Sequence, residues 1–102
     1  MLLSKAHLYS PADQLTSYFS TYLNHPARLD IVRELSIKGP QNVHQIASHH
    51  PLSLSGVSQH IEFLREKALL KFEPQFPFLL YNLDREKFEI AKASIISYLN
   101  EI

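Results

Sequence analysis

The hydrophobic period of this chain changes at Leu69 and changes back after Asp84, and those two points restrict what it can fold into. Before Leu69, apolar residues recur at intervals of three and four, the spacing that lines one face of a helix. From Leu69 to Leu83, LLKFEPQFPFLLYNL instead holds two runs rich in Phe, Leu and Tyr around Pro74 and Pro77. That pattern predicts a two-stranded hairpin with a proline-stiffened tip. Helical spacing then resumes, so the expected class is mainly α with one small β-hairpin.

Capping residues divide the helical part into five helices. Ser10-Pro11 supplies an N-cap and a proline at the first helical position, and Asp13 suits the positive helix end. A first helix over about Pro11 to Leu23 carries Leu15, Tyr18, Phe19, Tyr22 and Leu23 as an unusually aromatic stripe. A second starts near Pro26, carries Leu29, Ile31, Val32 and Leu35, and stops at Gly39-Pro40. Asn42 with Gln45 makes a capping box for a short helix through Val43, Ile46 and Ala47 that ends by Pro51. Ser53 caps a fourth helix, over residues 54–67, with Leu54, Val57, Ile61 and Leu64 on one side. Asp84 caps the last, whose stripe of Phe88, Ala91, Ile95, Leu99 and Ile102 is broadened by Ile90, Ile96 and Tyr98.

Composition narrows the function. With 102 residues, 45% hydrophobic and 20% charged, the chain fits a single domain over 1–102. The absence of Cys excludes disulfides, thiolate metal sites and cysteine nucleophiles together. MLLSKAHLYS is too polar for a secretory signal, and no apolar run approaches the ~20 residues that span a bilayer, so a cytoplasmic, membrane-free protein is expected. The ten carboxylates are scattered beside Lys and Arg, and neither of the two glycines lies in a phosphate-cradling loop. No catalytic group or cofactor site is therefore expected, and the chain reads as a non-enzyme.

Net charge is zero, which argues against a general polyanion binder. The charge is nonetheless uneven. From Leu35 to Ile61 there is no Asp or Glu, while Lys38, His44, His49, His50 and His60 all fall there. This segment is either open to phosphate or a polar, Ser-rich patch that merely lacks acids.

The order helix, helix, short helix, turn, helix, hairpin, helix is that of a winged helix-turn-helix, with residues 42–50 as the supporting helix and 54–67 as the reading helix. Ser55, Ser58, Gln59 and His60 face outward from the reading helix, where Lys and Glu are the ordinary filling of a solvated face. A DNA major groove ~12 Å wide just admits a helix, so small groups at its leading turns let the backbone approach the bases. Ser53, Ser55, Gly56, Ser58, Gln59 and His60 are accordingly the candidate DNA-contacting residues, with Lys38 and Lys71 on phosphates. His60 suits either a phosphate contact or a structural hydrogen bond. Arg28 and Arg65 suit either phosphates or intramolecular carboxylates such as Glu34 and Glu66. His44, His49 and His50 lack the spacing that aims two imidazoles at one ion and read as surface or helix-end residues, so no metal site is expected. Charging of the six histidines on acidification predicts tighter DNA binding near pH 6.

Two segments resemble the ArsR-type, arsenical-resistance-repressor-like, winged-helix transcriptional regulators. LNHPARLDIVREL matches through Leu23, Pro26, Arg28, Leu29, Ile31, Val32 and Leu35. Val43 to Leu70 matches the family's helix-turn-helix pattern through Val43, Ile46, Ala47, Leu52, Ser53, Ser55, Val57, Ser58, His60, Ile61, Leu64, Arg65 and Leu69. The resemblance implies a homodimeric repressor or regulator on a palindromic double-stranded operator, its dimer built from helices in 1–24 and 84–102 around a winged core, 25–83. Leu15, Tyr18, Phe19, Tyr22, Ile95, Tyr98 and Leu99 are the expected interface, and the apolar excess of the terminal helices supports it independently.

The chain also departs from the family pattern. Gln45 to Ser48 replaces the Cys pair of metal-sensing members, and no His follows Asp84. The wing has no cation between Lys71 and Arg85, Leu54 stands where Gln is common, and Ala68 stands where Gly usually ends the reading helix. A left-handed Ala68 costs on the order of 1 kcal/mol. The uncharged wing tip and zero net charge favour an alternative, a winged-helix protein-interaction module with weak or no DNA binding.

Overall fold

The structure, a computed structural model, describes residues 5–102. Residues 1–4, which the sequence reading grouped with the first dimerisation segment, lie outside the described residues. A short 3₁₀ turn, Ala6–Leu8, precedes α1 (Pro11–Ser20), and a second, Thr21–Asn24, links it to α2 (Pro26–Lys38). Then follow α3 (Val43–Ala47), α4 (Leu54–Glu66), the hairpin strands β1 (Leu70–Gln75) and β2 (Phe78–Leu83), and α5 (Arg85–Asn100). This is the five-helix, one-hairpin winged helix-turn-helix expected from the sequence.

The first helix ends three residues earlier than the stripe predicted, at Ser20 rather than Leu23. Ser20 and Thr21 turn their hydroxyls back on the carbonyls of Ser17 (3.2 Å) and Tyr18 (2.8 Å), which favours the tighter 3₁₀ winding. His25, the residue before Pro26, is then extended at φ −150° and ψ 130°, as the proline ring requires.

Caps fix the helix-turn-helix. The Asn42 side chain accepts from Gln45 N (2.9 Å) and the Gln45 side chain accepts from Asn42 N (2.8 Å). Ser53 Oγ accepts from Gly56 N at 3.1 Å, and Asp84 Oδ1 accepts from Lys87 N at 3.1 Å. At the far end of α4, Ala68 adopts φ 61°. Leu69 N donates to the Leu64 carbonyl (3.0 Å) and Ala68 N to Arg65 (2.9 Å), the paired closure normally given to glycine.

Ile31, Leu35, Ile46, Val57, Ile61, Leu64, Leu69 and Leu83 are fully buried in one cluster joining α2, α3, α4 and the base of the hairpin. Each such aliphatic side chain contributes ~1.5–3 kcal/mol by leaving water. The strands pair antiparallel from Leu70↔Leu83 to Gln75↔Phe78. Gln41 adds a bridge to the hairpin, exchanging backbone hydrogen bonds with Tyr81 at 3.0 and 2.7 Å. The wing thus leaves a fixed base rather than a free loop. Packing of α1 along α5, with Thr16 Oγ1 donating to the Ser94 carbonyl at 3.2 Å, completes the fold.

Candidate nucleic-acid interface

Helix α4 is sharply two-sided. Val57, Ile61 and Leu64 are buried, Ser55 and Gln59 are exposed, and Gly56 and Ser58 lie half-buried at the edge. The buried stripe locks the rotation of the helix, and that rotation decides which polar groups project. At Gly56 an added methyl would lie 3.4 Å from Leu52 Cβ and 3.5 Å from Ser53 Oγ, which is ordinary contact. The fold itself therefore has room for a side chain there.

His60 points to the interior side of this face. Its ring sits 4.3 Å from that of His25, and its Nδ1 lies 3.4 Å from Arg28 Nη1. Burial, then the neighbouring His25, Arg28 and His50, hold its pKa below the ordinary imidazole value. Of the two roles the sequence left open, its contacts are those of a structural residue.

The arginines are also engaged within the chain, Arg65 by an intramolecular carboxylate, one of the two kinds of partner expected, and Arg28 without one. Arg28 donates to the carbonyls of Tyr22 (3.3 Å) and Thr21 (3.2 Å) and lies over the Phe63 ring at 4.2 Å, so it staples α2 to α4 without a carboxylate. Arg65 pairs with Glu62, one turn before it, rather than with Glu34 or Glu66. That bond holds the Glu62 carboxyl below its usual range and raises Arg65. Glu34 instead meets Lys38 at 3.6 Å, with the Lys38 side chain half exposed.

Tyr18 was expected only as an interface residue, yet it also ties α1 to the end of α4. Its hydroxyl donates to the Glu66 carbonyl at 3.1 Å, and Lys67 Nζ stands 4.2 Å over its ring. The sequence held one hint of this link: Phe63 and Lys67, four apart, lie off the apolar stripe of α4.

Of the two readings of His50, surface or helix end, the second holds: it stands just past the end of α3, its side chain is only 2% exposed, and its Nε2 lies 3.5 Å from Asp30 Oδ2. His44 and His49 are exposed. The turn between α3 and α4 folds back over α2, and spacing along α3 alone could not reveal that neighbour.

Phe19, expected at the interface, is only 5% exposed and packs into the core of the chain, which leaves it little surface to offer a second. Tyr22 is half-buried with its ring 6.4 Å from Phe88, and Ile95 packs against the same core. Leu15, Tyr18, Ile96, Tyr98 and Leu99 remain exposed, Leu99 at 59%. On the wing, Lys71 is exposed near the base, and Phe72, Phe78, Leu79 and the 97% exposed Phe76 line the rest. Among the described residues, no helix is long and apolar enough to cross a membrane.

Fold and face together define a winged helix-turn-helix protein. A model of the arsR family of bacterial regulatory proteins matches residues 25–71. A solved "possible transcriptional regulator for arsenical resistance" is 30% identical, with 78% of this chain and 82% of that one covered at a TM-score of 0.72. NolR from Sinorhizobium fredii is 24% identical over 91% of each chain, with a TM-score of 0.68. The homodimeric winged helix-turn-helix DNA-binding domain of a possible ArsR-family regulator from Mycobacterium bovis is 16% identical over 99% of this chain and 88% of that one, with a TM-score of 0.69. No curated protein matches the chain. The chain belongs to the arsR family of bacterial regulatory proteins.

Proposed function

We propose that this chain is a cytoplasmic, homodimeric, sequence-specific DNA-binding repressor that acts without catalysis and without a cysteine metal site. The observation that carries this reading is the small polar face of α4, held outward by a fully buried stripe in a segment free of carboxylates from Leu35 to Ile61. Ser53, Ser55, Gly56, Ser58 and Gln59 approach the major groove, and Lys38 and Lys71 meet phosphates. His60 acts one step back, holding α4 against α2.

Residues 1–24 and 84–102 supply the dimer helices around a winged core, 25–83. Leu15, Tyr18, Tyr22, Ile95, Tyr98 and Leu99 form the interface, and Phe19 backs it from within each chain. Two such helices related by a two-fold axis suit a palindromic site. The homodimeric relative from M. bovis supports this assembly.

Titration against random-sequence duplex at low and high salt tests the reading. Binding that weakens steeply with salt is expected, and no binding at low salt would reject it. Sites selected from a random DNA pool should then be palindromic. The exposed aromatic wing and zero net charge favour a second reading, a winged-helix module for protein contact.

A further inference from the structure

An open cleft of about 440 Å³ lies between the first half of α2 and the turn that leads into α4. Pro26, Leu29, Pro51 and Leu52 make its walls, and its polar groups are few: His25, Asp30, Arg33 and His50. Asp30 is divided between two of them. Its Oδ1 lies 3.2 Å from Arg33 Nη1, and its Oδ2 lies 3.5 Å from His50 Nε2. The Asp30 and Arg33 side chains are both more than half exposed, at 53% and 63%. The His50 side chain is 2% exposed, and its Nε2 finds no hydrogen-bond partner among the described residues. A buried imidazole nitrogen left short of its carboxylate is an unmet demand that a shift of Asp30 would satisfy.

We propose that this cleft binds a small organic carboxylate with an apolar body, a single ring or short acyl chain. Arg33, a forked donor set matched to carboxylates, takes the ligand's charged end, and the apolar walls take its body. Asp30 is then released to close on His50. A neutral analogue would leave the Asp30–Arg33 pair intact, a cation would meet Arg33, and inorganic phosphate would gain nothing from the walls. Because His50 stands in the turn just before the Ser53 cap of α4, closure there bears on how the reading helix is held. That consequence rests on the DNA-binding reading above, whereas the ligand site does not.

Amide spectra of the isotopically labelled full chain, titrated with benzoate, benzamide and inorganic phosphate at constant ionic strength, test the site. Benzoate should give saturable shifts at Asp30, Arg33, His50 and Leu52, and benzamide and phosphate should not. R33Q should weaken benzoate at least tenfold. D30N, which removes the competing carboxylate, should tighten it by twofold or more. Equal shifts from benzamide or phosphate, or unchanged affinity in either variant, would overturn the site. Where duplex is bound, saturating benzoate should change its affinity at least threefold, and no change would overturn the link to α4. A chain that never binds duplex fails the regulator reading alone, and the spectra still decide the cleft.

Discussion

The first turns of α4 and the tip of the wing both project from the same small domain, and they do so with opposite chemistry. Helix α4 shows serines, a glutamine and the exposed Leu54 over a stripe of fully buried Val57, Ile61 and Leu64. The wing shows Phe72, Phe76, Phe78 and Leu79, with Leu70 buried in β1 and Leu83 in β2. One surface is small, polar and rigidly aimed. The other is apolar and carries no cation between Lys71 and Arg85. A duplex can accept the first, because hydroxyls and amides meet base edges and phosphates, and it gains little from the second, because phosphate demands charge. The affinity of this protein for DNA is therefore expected to rest on the helix, with the wing left to other contacts.

Four experiments bear on that contrast. The largest effect should come from placing a carboxylate on the helix face. S55E is expected to weaken duplex binding roughly 100-fold, ~2.7 kcal/mol, while unfolding free energy stays within ~0.5 kcal/mol because Ser55 is exposed. G56A separates function from fold more sharply. The space at Gly56 predicts a gain in stability of ~0.5–1 kcal/mol from helix propensity. If the backbone there must approach the bases, duplex affinity should still fall about tenfold, ~1.4 kcal/mol. Unchanged affinity in G56A would move the contact surface elsewhere.

A smaller effect is expected at the end of the helix. Ala68 stands at φ 61°, so A68G should raise stability by ~0.5–1 kcal/mol in chemical denaturation, the relief of the left-handed residue partly offset by a freer unfolded chain. The smallest effect belongs to the wing. F76S should change duplex affinity less than twofold, and a larger loss would erase the contrast between the two surfaces.

Acidity adds a directional prediction. The fold holds His60 below the ordinary imidazole pKa, so it favours the neutral ring. That contribution is complete above pH ~6.5 and is lost as the pH falls through that value toward the lowered one. Thermal unfolding of H60N should show a weaker loss of stability between pH 7 and pH 5.5 than the parent chain. Of the six histidines expected to tighten DNA binding near pH 6, His60 is one that this shift holds back from charging.

Much of this was legible in the chain. The stripes, the Asn42–Gln45 box, the Ser10, Ser53 and Asp84 caps and the hairpin register their own periods and side-chain chemistry within a few residues, and local physics suffices to read them. Ser55 and Gln59 on α4 were legible for the same reason, since the buried stripe fixes by subtraction what faces out, whereas Ser58 and His60 lie half-buried and Leu54, expected in the stripe, is exposed. What could not be read were the partners contributed by distant elements. Arg28 reaches Phe63 and two carbonyls, Tyr18 reaches the Glu66 carbonyl, and Asp30 reaches His50, each across a turn whose path is set by packing. Phe19 sat in the same stripe as Tyr18, and only the seating of α1 decided that one ring fills the core while the other stays at the surface. Sequence determined the elements, their order and their apolar faces, because these depend on neighbours three or four residues away. The tertiary structure decided which charged and aromatic groups are spent inside the molecule and which remain for a partner, because burial and approach depend on helices brought together from opposite ends of the chain.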